Sequence, residues 1–425
     1  MKVLLVVPGW PKGRLWGELG FKFPSLSLAA LAAATPLEWE VALADENLEP
    51  IDLDARVDLV GITAMTPQAP RAYAIAGAFR QRGVPVVMGG FHASSLPQEA
   101  LLHADSVVVG EGEQVWPQLL TDFLTGRLKR VYQAPTLLEM AAVPQPRRHL
   151  FDRKPYLLTN AIQAGRGCPH QCEFCSVTSF YGSSYRERPL PQVMDELENM
   201  RGAGSFVFFV DDNLTANRRF ALELFRGMRG LGMKWLSHAP IGLGNDRELL
   251  KAAGDSGCVG LFVGFESLSQ QTLAAVGKRT NRVDEYLGHA RAFRDHGIGI
   301  LGSFVLGCDG DTPAGFEALL RFCERARLEA AIFPILTPFP GTRVRERLEL
   351  EGRITCNDWV NYDMGHVNFV PRGMTAEELQ AGHDWLSSSF YSIPSMYKRI
   401  FKFHRSLQVF APMNFGFRKA LSKCR

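Results

Sequence analysis

Short apolar runs alternate with helical signals along two long stretches of this chain, and the alternation stops beyond about residue 344. That pattern leaves few folds open, because alternating strands and helices form a parallel sheet whose two faces must both be covered. In the first stretch, residues 1–130, strands are expected at 2–7, 40–44, 59–64, 84–88 and 106–109, with helices at 26–34, 69–82 and 97–103. Such sheets take ligands outside the carboxyl ends of their strands. Thr63, Ala64, Gly89, Gly90, Gly110 and Gly112 fall there, with Glu111 between the last two glycines.

Residues 131–156, with Pro135, Pro144 and Pro146, read as an extended linker. Strands are expected again at 157–163, 206–210, 234–238, 259–265, 298–306 and 331–336. Helices are expected near 191–201, 218–230, 247–253, 283–294 and 313–326. Strand–helix units in this number suit a partial (β/α)6 barrel over residues 157–343, with reactive groups at the carboxyl ends of its strands. Residues 344–425 are expected to be mainly helical.

A chain of 425 residues has room for two or three domains, and 46% hydrophobic with 21% charged residues is an ordinary globular balance. The net charge of +3 is too small to argue for nucleic acid. No stretch approaches the roughly 20 apolar residues of a membrane span, and the apolar start has no cleavage site of a signal peptide. Five of the eight cysteines (Cys258, Cys308, Cys323, Cys356 and Cys424) are scattered singly. That usage suits a reducing cytoplasm better than a disulfide scaffold.

The other three cysteines lie together in Gly165-Arg166-Gly167-Cys168-Pro169-His170-Gln171-Cys172-Glu173-Phe174-Cys175. Thiolates at this spacing are soft ligands for an iron–sulfur cluster, zinc or copper(I). A zinc site usually pairs two C-x2-C units or adds histidines at a distance, and no second paired motif follows here. Cys168, Cys172 and Cys175, with an aromatic residue before the last, resemble the cluster motif of the radical S-adenosylmethionine (SAM) superfamily. The resemblance implies a 4Fe-4S cluster with one iron left for the amino and carboxylate groups of SAM. One electron then cleaves the sulfonium and yields a 5′-deoxyadenosyl radical.

Asp58-Leu59-Val60-Gly61-Ile62-Thr63, Gly89-Gly90-Phe91-His92 and Val109-Gly110-Glu111-Gly112-Glu113 resemble the Rossmann-like cobalamin-binding domain that precedes the barrel in one subfamily of these enzymes. On that resemblance Thr63, Gly89, Gly90, Gly110 and Glu111 contact cobalamin. Many such domains carry D-x-H-x-x-G after the second strand, whose histidine ligates cobalt. This chain has Asp45-Glu46-Asn47-Leu48-Glu49-Pro50 instead. Either cobalamin binds without a protein imidazole or the domain has lost it. His92 reads as a loop residue rather than a cobalt ligand.

The same resemblance places SAM contacts on Asp211 and Asp212, which take its ammonium, and on Glu266, Arg186 and Ser303. The rival reading of Asp211-Asp212-Asn213 is a helix N-cap, and of Arg186 a surface arginine. Lys278-Arg279-Thr280-Asn281 is a loop signal that reads as a solvated helix end rather than a catalytic site, and Tyr181, Tyr185, Tyr362 and His366 read as structural residues, with proton donor or radical quencher as the rival. The aromatic, basic segment beyond Trp359 reads as a peripheral membrane contact, as a lining for an apolar substrate pocket, or as a helical tail packed on the barrel.

The function implied is methylation of an unactivated carbon of an apolar or polycyclic small molecule, with flavodoxin or ferredoxin as electron donor. Ring formation, oxidation or rearrangement by the same radical is the alternative. A non-catalytic iron–sulfur or zinc protein is the rival from another class.

Overall fold

The computed structural model describes residues 1–19, 22–152, 154–157, 160–201, 206–400 and 406–424. Its first sheet consists of β1 (Lys2–Val7), β2 (Glu40–Asp45), β3 (Leu59–Thr63), β4 (Val86–Gly89), β5 (Ser106–Val109) and β6 (Val131–Gln133). All pair in parallel, in the order β2-β1-β3-β4-β5-β6. Alternation along β1 shows why both faces are buried: Val3 and Leu5 enter one core, Leu4 and Val6 the other. Helix Ala69–Gln81 covers the second face through Ala72, Ile75, Ala76 and Phe79. Helices Leu26–Ala33 and Gly112–Leu124 cover the first through Leu28, Ala32, Trp116 and Leu119.

Two features of this half differ from expectation. Val131–Gln133, placed at the start of the linker, is the edge strand of the sheet, too short to show a period by itself. Helix Gly112–Leu124 was not expected, because Pro117 interrupts its pattern.

The second sheet is β7 (Ala161–Ile162), β10 (Phe206–Phe209), β11 (Lys234–Pro240), β12 (Cys258–Glu266), β13 (Gly299–Phe304) and β14 (Ala330–Ile332), and between β7 and β10 the chain forms a separate two-stranded ladder of β8 (Gly165–Gly167) and β9 (Tyr185–Glu187). Its strands run parallel in sequence order from β7 to β14, an open barrel. Residues 158 and 159 of the expected first strand lie outside the described residues. The last strand is shorter than expected, and only an isolated bridge, Leu306 to Ile335, continues the pairing. Helix Arg218–Met228 is representative of the outer layer. Asn217 caps it by accepting from the Arg219 and Phe220 amides, and Phe220, Leu224, Phe225 and Met228 face the core.

The C-terminal helices Ala376–Phe390, Ile393–Ile400 and Leu407–Lys423 pack on the barrel. Phe401, Lys402, Phe403, Arg405 and Arg425 of the expected aromatic, basic segment lie outside the described residues. The Phe410 ring closes the amino-terminal end of the barrel against Gly260 and Gly299, which face each other across β12 and β13. A Cβ on Gly260 would stand 2.7 Å from that ring. Arg399, 1% exposed, donates to the Leu328, Glu329 and Phe390 carbonyls and lies over the Phe390 ring. Phe410→Ala is expected to cost about 3–5 kcal/mol, since glycines on two strands cannot fill the space; urea unfolding of the variant checks this. No described helix is long and apolar enough to cross a membrane.

Candidate active site

The cysteine loop leaves the carboxyl end of β7 through β8 and returns through β9. Cys172 is buried, Cys168 and Cys175 are half-buried, and all three thiols are free. The loop is fixed by its backbone. The Glu173 amide donates to the Val276 carbonyl at 3.1 Å, the Val344 amide donates to the Glu173 carbonyl at 3.1 Å, and Arg343 donates to the Gln171 carbonyl. Gly277 lies so close to Gln171 that a Cβ there would stand 2.7 Å from its carbonyl oxygen; its φ of +78° also favours glycine. The donor set is three thiols on one anchored loop, which suits an iron–sulfur cluster. Burial pushes the Cys175 thiol up to about 11, so metal binding there must displace a proton.

Asp211 and Asp212 follow β10 beside this loop. Asp211 is fully buried, and its carboxylate accepts from the Ala164 amide at 3.0 Å and from the Gly165 amide. Burial pushes its carboxyl up to about 7, against the pull of those two amides. Asp212 accepts from the Gly167 amide at 3.1 Å through one oxygen, and burial raises its pKa as well. Asn213 reaches the Cys168 sulfur at 3.8 Å. The segment holds the cluster loop and does not cap the next helix, a task that falls to Asn217.

Glu266 ends β12 at φ 66°, an unusual backbone for a residue with a side chain, after a register shift between Gly264 and Glu266. Lys278 pairs with it at 2.9 Å. Contrary to expectation, Lys278 is not at a solvated helix end: its side chain is 12% exposed. Burial acts to lower the pKa of its ammonium, but Glu266 and Cys172 outweigh this and the net shift is upward. Asn281 is buried too and donates to the Gly264 and Phe265 carbonyls. Ser303 is buried on β13, in register with Gly264.

Arg186 is not a surface arginine: its side chain is 18% exposed, and its guanidinium donates to Glu111 at 3.0 Å and to the Leu138 carbonyl. Glu111 in turn accepts from Arg166 at 2.7 Å and from the Leu138 amide at 2.8 Å. His92 sits in the short helix Gly90–Ser95, buried against Tyr73 and Glu99. Tyr362 is buried against Arg345, and His366 is paired with Asp363.

Between the two sheets lies a cavity of about 600 Å³. The strand ends of the first sheet line one side with Gly61, Thr63, Ala64, Gly89, Gly90, Gly110 and Gly112. Arg166, Phe180 and Tyr181, which flank the cysteines, line the other. Trp10, Trp16, Phe23 and Phe91 add aromatic walls. Gly110 stands at φ +81°, a backbone that favours glycine, and faces open space. Asn47, at the place of the D-x-H-x-x-G histidine, also lines the cavity, with its amide tied to Asp45 and Pro8. The aromatic lining thus comes from the first sheet's half of the chain, Trp116 included, and from the cluster loop. The C-terminal aromatics Tyr391 and Phe417 instead border a separate void of about 30 Å³.

Residues 162–323 match the Radical SAM superfamily and residues 15–120 a B12 binding domain. Bacteriochlorophyllide d C-12(1)-methyltransferase of Chlorobaculum tepidum is 33% identical over 385 residues, covering 88% of this chain and 84% of that protein. The chain belongs to the radical SAM superfamily. Within it, the B12 binding domain marks a cobalamin-carrying member, so its cofactors are a 4Fe-4S cluster, SAM and cobalamin. Residues 342–419 match a domain of unknown function, DUF4070. Hopanoid C-2 methylase of Rhodopseudomonas palustris is 29% identical, over 84% of this chain and 72% of its own. The fold is that of the cobalamin-dependent SAM radical enzyme OxsB, with a TM-score of 0.72 and 16% identity over 97% of this chain and 72% of that one.

Cys168, Cys172 and Cys175 are the thiols of the loop that would hold the cluster, and the glycine-lined strand ends would face cobalamin in the cavity. With Asn47 in place of histidine, cobalamin binds here without an imidazole from that position.

Proposed function

We propose that this enzyme methylates an unactivated carbon of an apolar, polycyclic small molecule. The observation that carries this is the single cavity with a cobalamin cradle on one side, the cluster loop on the other and aromatic walls between. A flat, greasy molecule gains most from such walls. The relatives named above act on a bacteriochlorophyllide and a hopanoid, both of that chemical kind. When bound, the cofactors supply the carbon radical and the methyl group.

The protein's own groups hold and orient. Asp212 takes the SAM ammonium, because Asp211 already spends its carboxylate on backbone amides. Glu266 faces the rest of SAM, held by Lys278. Asp212→Asn is expected to weaken SAM binding about 10- to 100-fold, the worth of a hydrogen bond to a charged group. Since that contact needs the carboxylate, and burial raises its pKa, wild-type affinity should fall as pH drops, and the variant's should not. Equilibrium dialysis across pH checks both.

An acidic one-electron carrier of the flavodoxin or ferredoxin kind reduces the cluster, and eight free thiols suit the cytoplasm where such carriers work. Trp385, Ile393, Tyr397 and Phe415 are exposed on the C-terminal helices near Lys398 and Lys419, which suits contact with a membrane that holds the substrate.

The reading is tested with reconstituted enzyme, cobalamin, a reductant and methyl-labelled SAM, offered bacteriochlorophyllide d or a hopanoid. Label in the extracted product supports it. A product formed without label, with 5′-deoxyadenosine as the only nucleoside, supports ring formation or oxidation instead.

A further inference from the structure

The two strands that carry the chain into and out of the cluster loop are β8 and β9, and Arg166 stands directly opposite Arg186 in their ladder. Two guanidiniums on one short ladder repel unless something holds them. Glu111 does so. One of its oxygens accepts from Arg166 at 2.7 Å and from Arg186 at 3.1 Å, and the other accepts from Arg186 at 3.0 Å and from the Leu138 amide at 2.8 Å. Glu113 takes the remaining side of Arg166 at 2.5 Å. The side chains of Glu111, Glu113 and Arg166 are 3%, 8% and 7% exposed, so water does not substitute for any of these bonds. Burial works to raise the Glu111 pKa, but the two arginines outweigh it and keep the group ionised.

The position of these groups matters more than their strength. Glu111 lies between Gly110 and Gly112, in the strand end that forms the cobalamin cradle. Arg166 is two residues before Cys168. One carboxylate therefore joins the cradle of one cofactor to both stems of the loop that holds the other.

We infer that Glu111 is a positioning residue that registers the cluster loop against the cobalamin cradle, so that cleavage of SAM is coupled to methyl transfer. The inference rests on the radical SAM and cobalamin assignment above and holds whatever the substrate is. It predicts that cobalamin binding at the cradle tightens the β8–β9 ladder through Glu111. Without Glu111, each cofactor still binds but the two are no longer held in register.

Glu111→Gln removes the charge at constant shape, and Glu111→Gln/Arg186→Gln also removes the guanidinium left without a partner. In the double variant Arg166 keeps Glu113, so folding is protected. The cluster-loaded protein is examined by hydrogen exchange with and without hydroxocobalamin. In the wild type, cobalamin should slow exchange of amides in 165–167 and 185–187. In the double variant that protection should be lost, while cluster and cobalamin absorbances stay at wild-type levels. With SAM, a reductant and a methyl acceptor of the proposed polycyclic class, the ratio of 5′-deoxyadenosine to S-adenosylhomocysteine should rise at least about tenfold, a loss of roughly 1.4 kcal/mol of coupling. If the double variant binds both cofactors, keeps the protection and holds the ratio within about twofold of wild type, the inference is overturned. If it fails to bind one of them, Glu111→Asp, which keeps the charge but shortens the reach, decides. Partial loss of protection supports the role, and wild-type protection overturns it. Absence of a cluster or of cobalamin from the wild type itself would instead count against the cofactor assignment.

Discussion

Cys172→Ala is expected to abolish the visible absorbance of the reconstituted cluster and to bring 5′-deoxyadenosine formation down to the background of buffer. The middle cysteine is the strictest of the three. It is 7% exposed and lies between Gln171 and Glu173, whose carbonyl and amide are each bonded to a neighbouring segment. The loop cannot shift to offer another sulfur. The other buried thiols lie off this loop: Cys258 begins β12, Cys308 follows β13, and Cys323 is in the helix Ala314–Ala326. Cys258→Ala is therefore the control, with cluster and activity retained. A Cys172→Ala protein that keeps its brown colour and still cleaves SAM would remove the ligand assignment. Far-ultraviolet circular dichroism guards against the trivial explanation that the variant is unfolded.

Lys278→Met carries the second largest expected effect, on stability and on SAM binding together. It leaves the Glu266 carboxylate, whose side chain is 9% exposed, without its cation. Breaking one partner of a buried pair costs about 3–5 kcal/mol, because the surviving charge has neither water nor partner. The backbone of Glu266 is already strained at φ 66°, so the carboxylate has little room to turn toward solvent. Lys278→Met/Glu266→Gln should recover most of the stability, since the stranded charge is gone. SAM affinity should not recover, because the carboxylate proposed to meet SAM is gone too. Denaturant unfolding of the apo-protein measures the first effect and equilibrium dialysis the second. Equal stability of wild type and Lys278→Met would show that the pair is solvated and the buried arrangement wrong.

Much of this architecture was legible in the sequence for a plain reason: parallel strands buried on both faces are continuous apolar runs, and covering helices repeat with their own period. β1, β3, β5 and the strands from β10 to β13 stand close to where those runs lie. What was not legible depends on tertiary contact. β8 and β9 are three residues each, built from glycine, arginine, glutamate and tyrosine, and carry no apolar period. Glu111, more than fifty residues earlier, accepts from both of their arginines. No local motif around Arg186 could show that partner.

The candidate site divides along the same line. Local motifs pointed to the cluster cysteines, to the aspartates after β10 and to the glycines at the strand ends. Lys278 looked like a surface lysine because it stands beside two more polar residues, Arg279 and Thr280. Only the turn at Gly277 folds it inward, and a lysine just after a glycine that follows an apolar helix was the available hint. Of the three readings of the aromatic run near the C-terminus, the helical tail packed on the barrel is the one that Phe390, Phe410 and Phe417 follow. Trp10, in a loop, and Trp16, in the one-turn helix Leu15–Glu18, line the cavity instead.

The account stands most directly on one spectrum: electron paramagnetic resonance of the reduced, cluster-loaded protein before and after SAM is added. An iron with no protein thiol should respond, and the resonance should shift when the amino acid end of SAM binds it. A signal that SAM leaves unchanged, in protein shown by dialysis to bind SAM, would contradict the claim that the cluster of Cys168, Cys172 and Cys175 holds it.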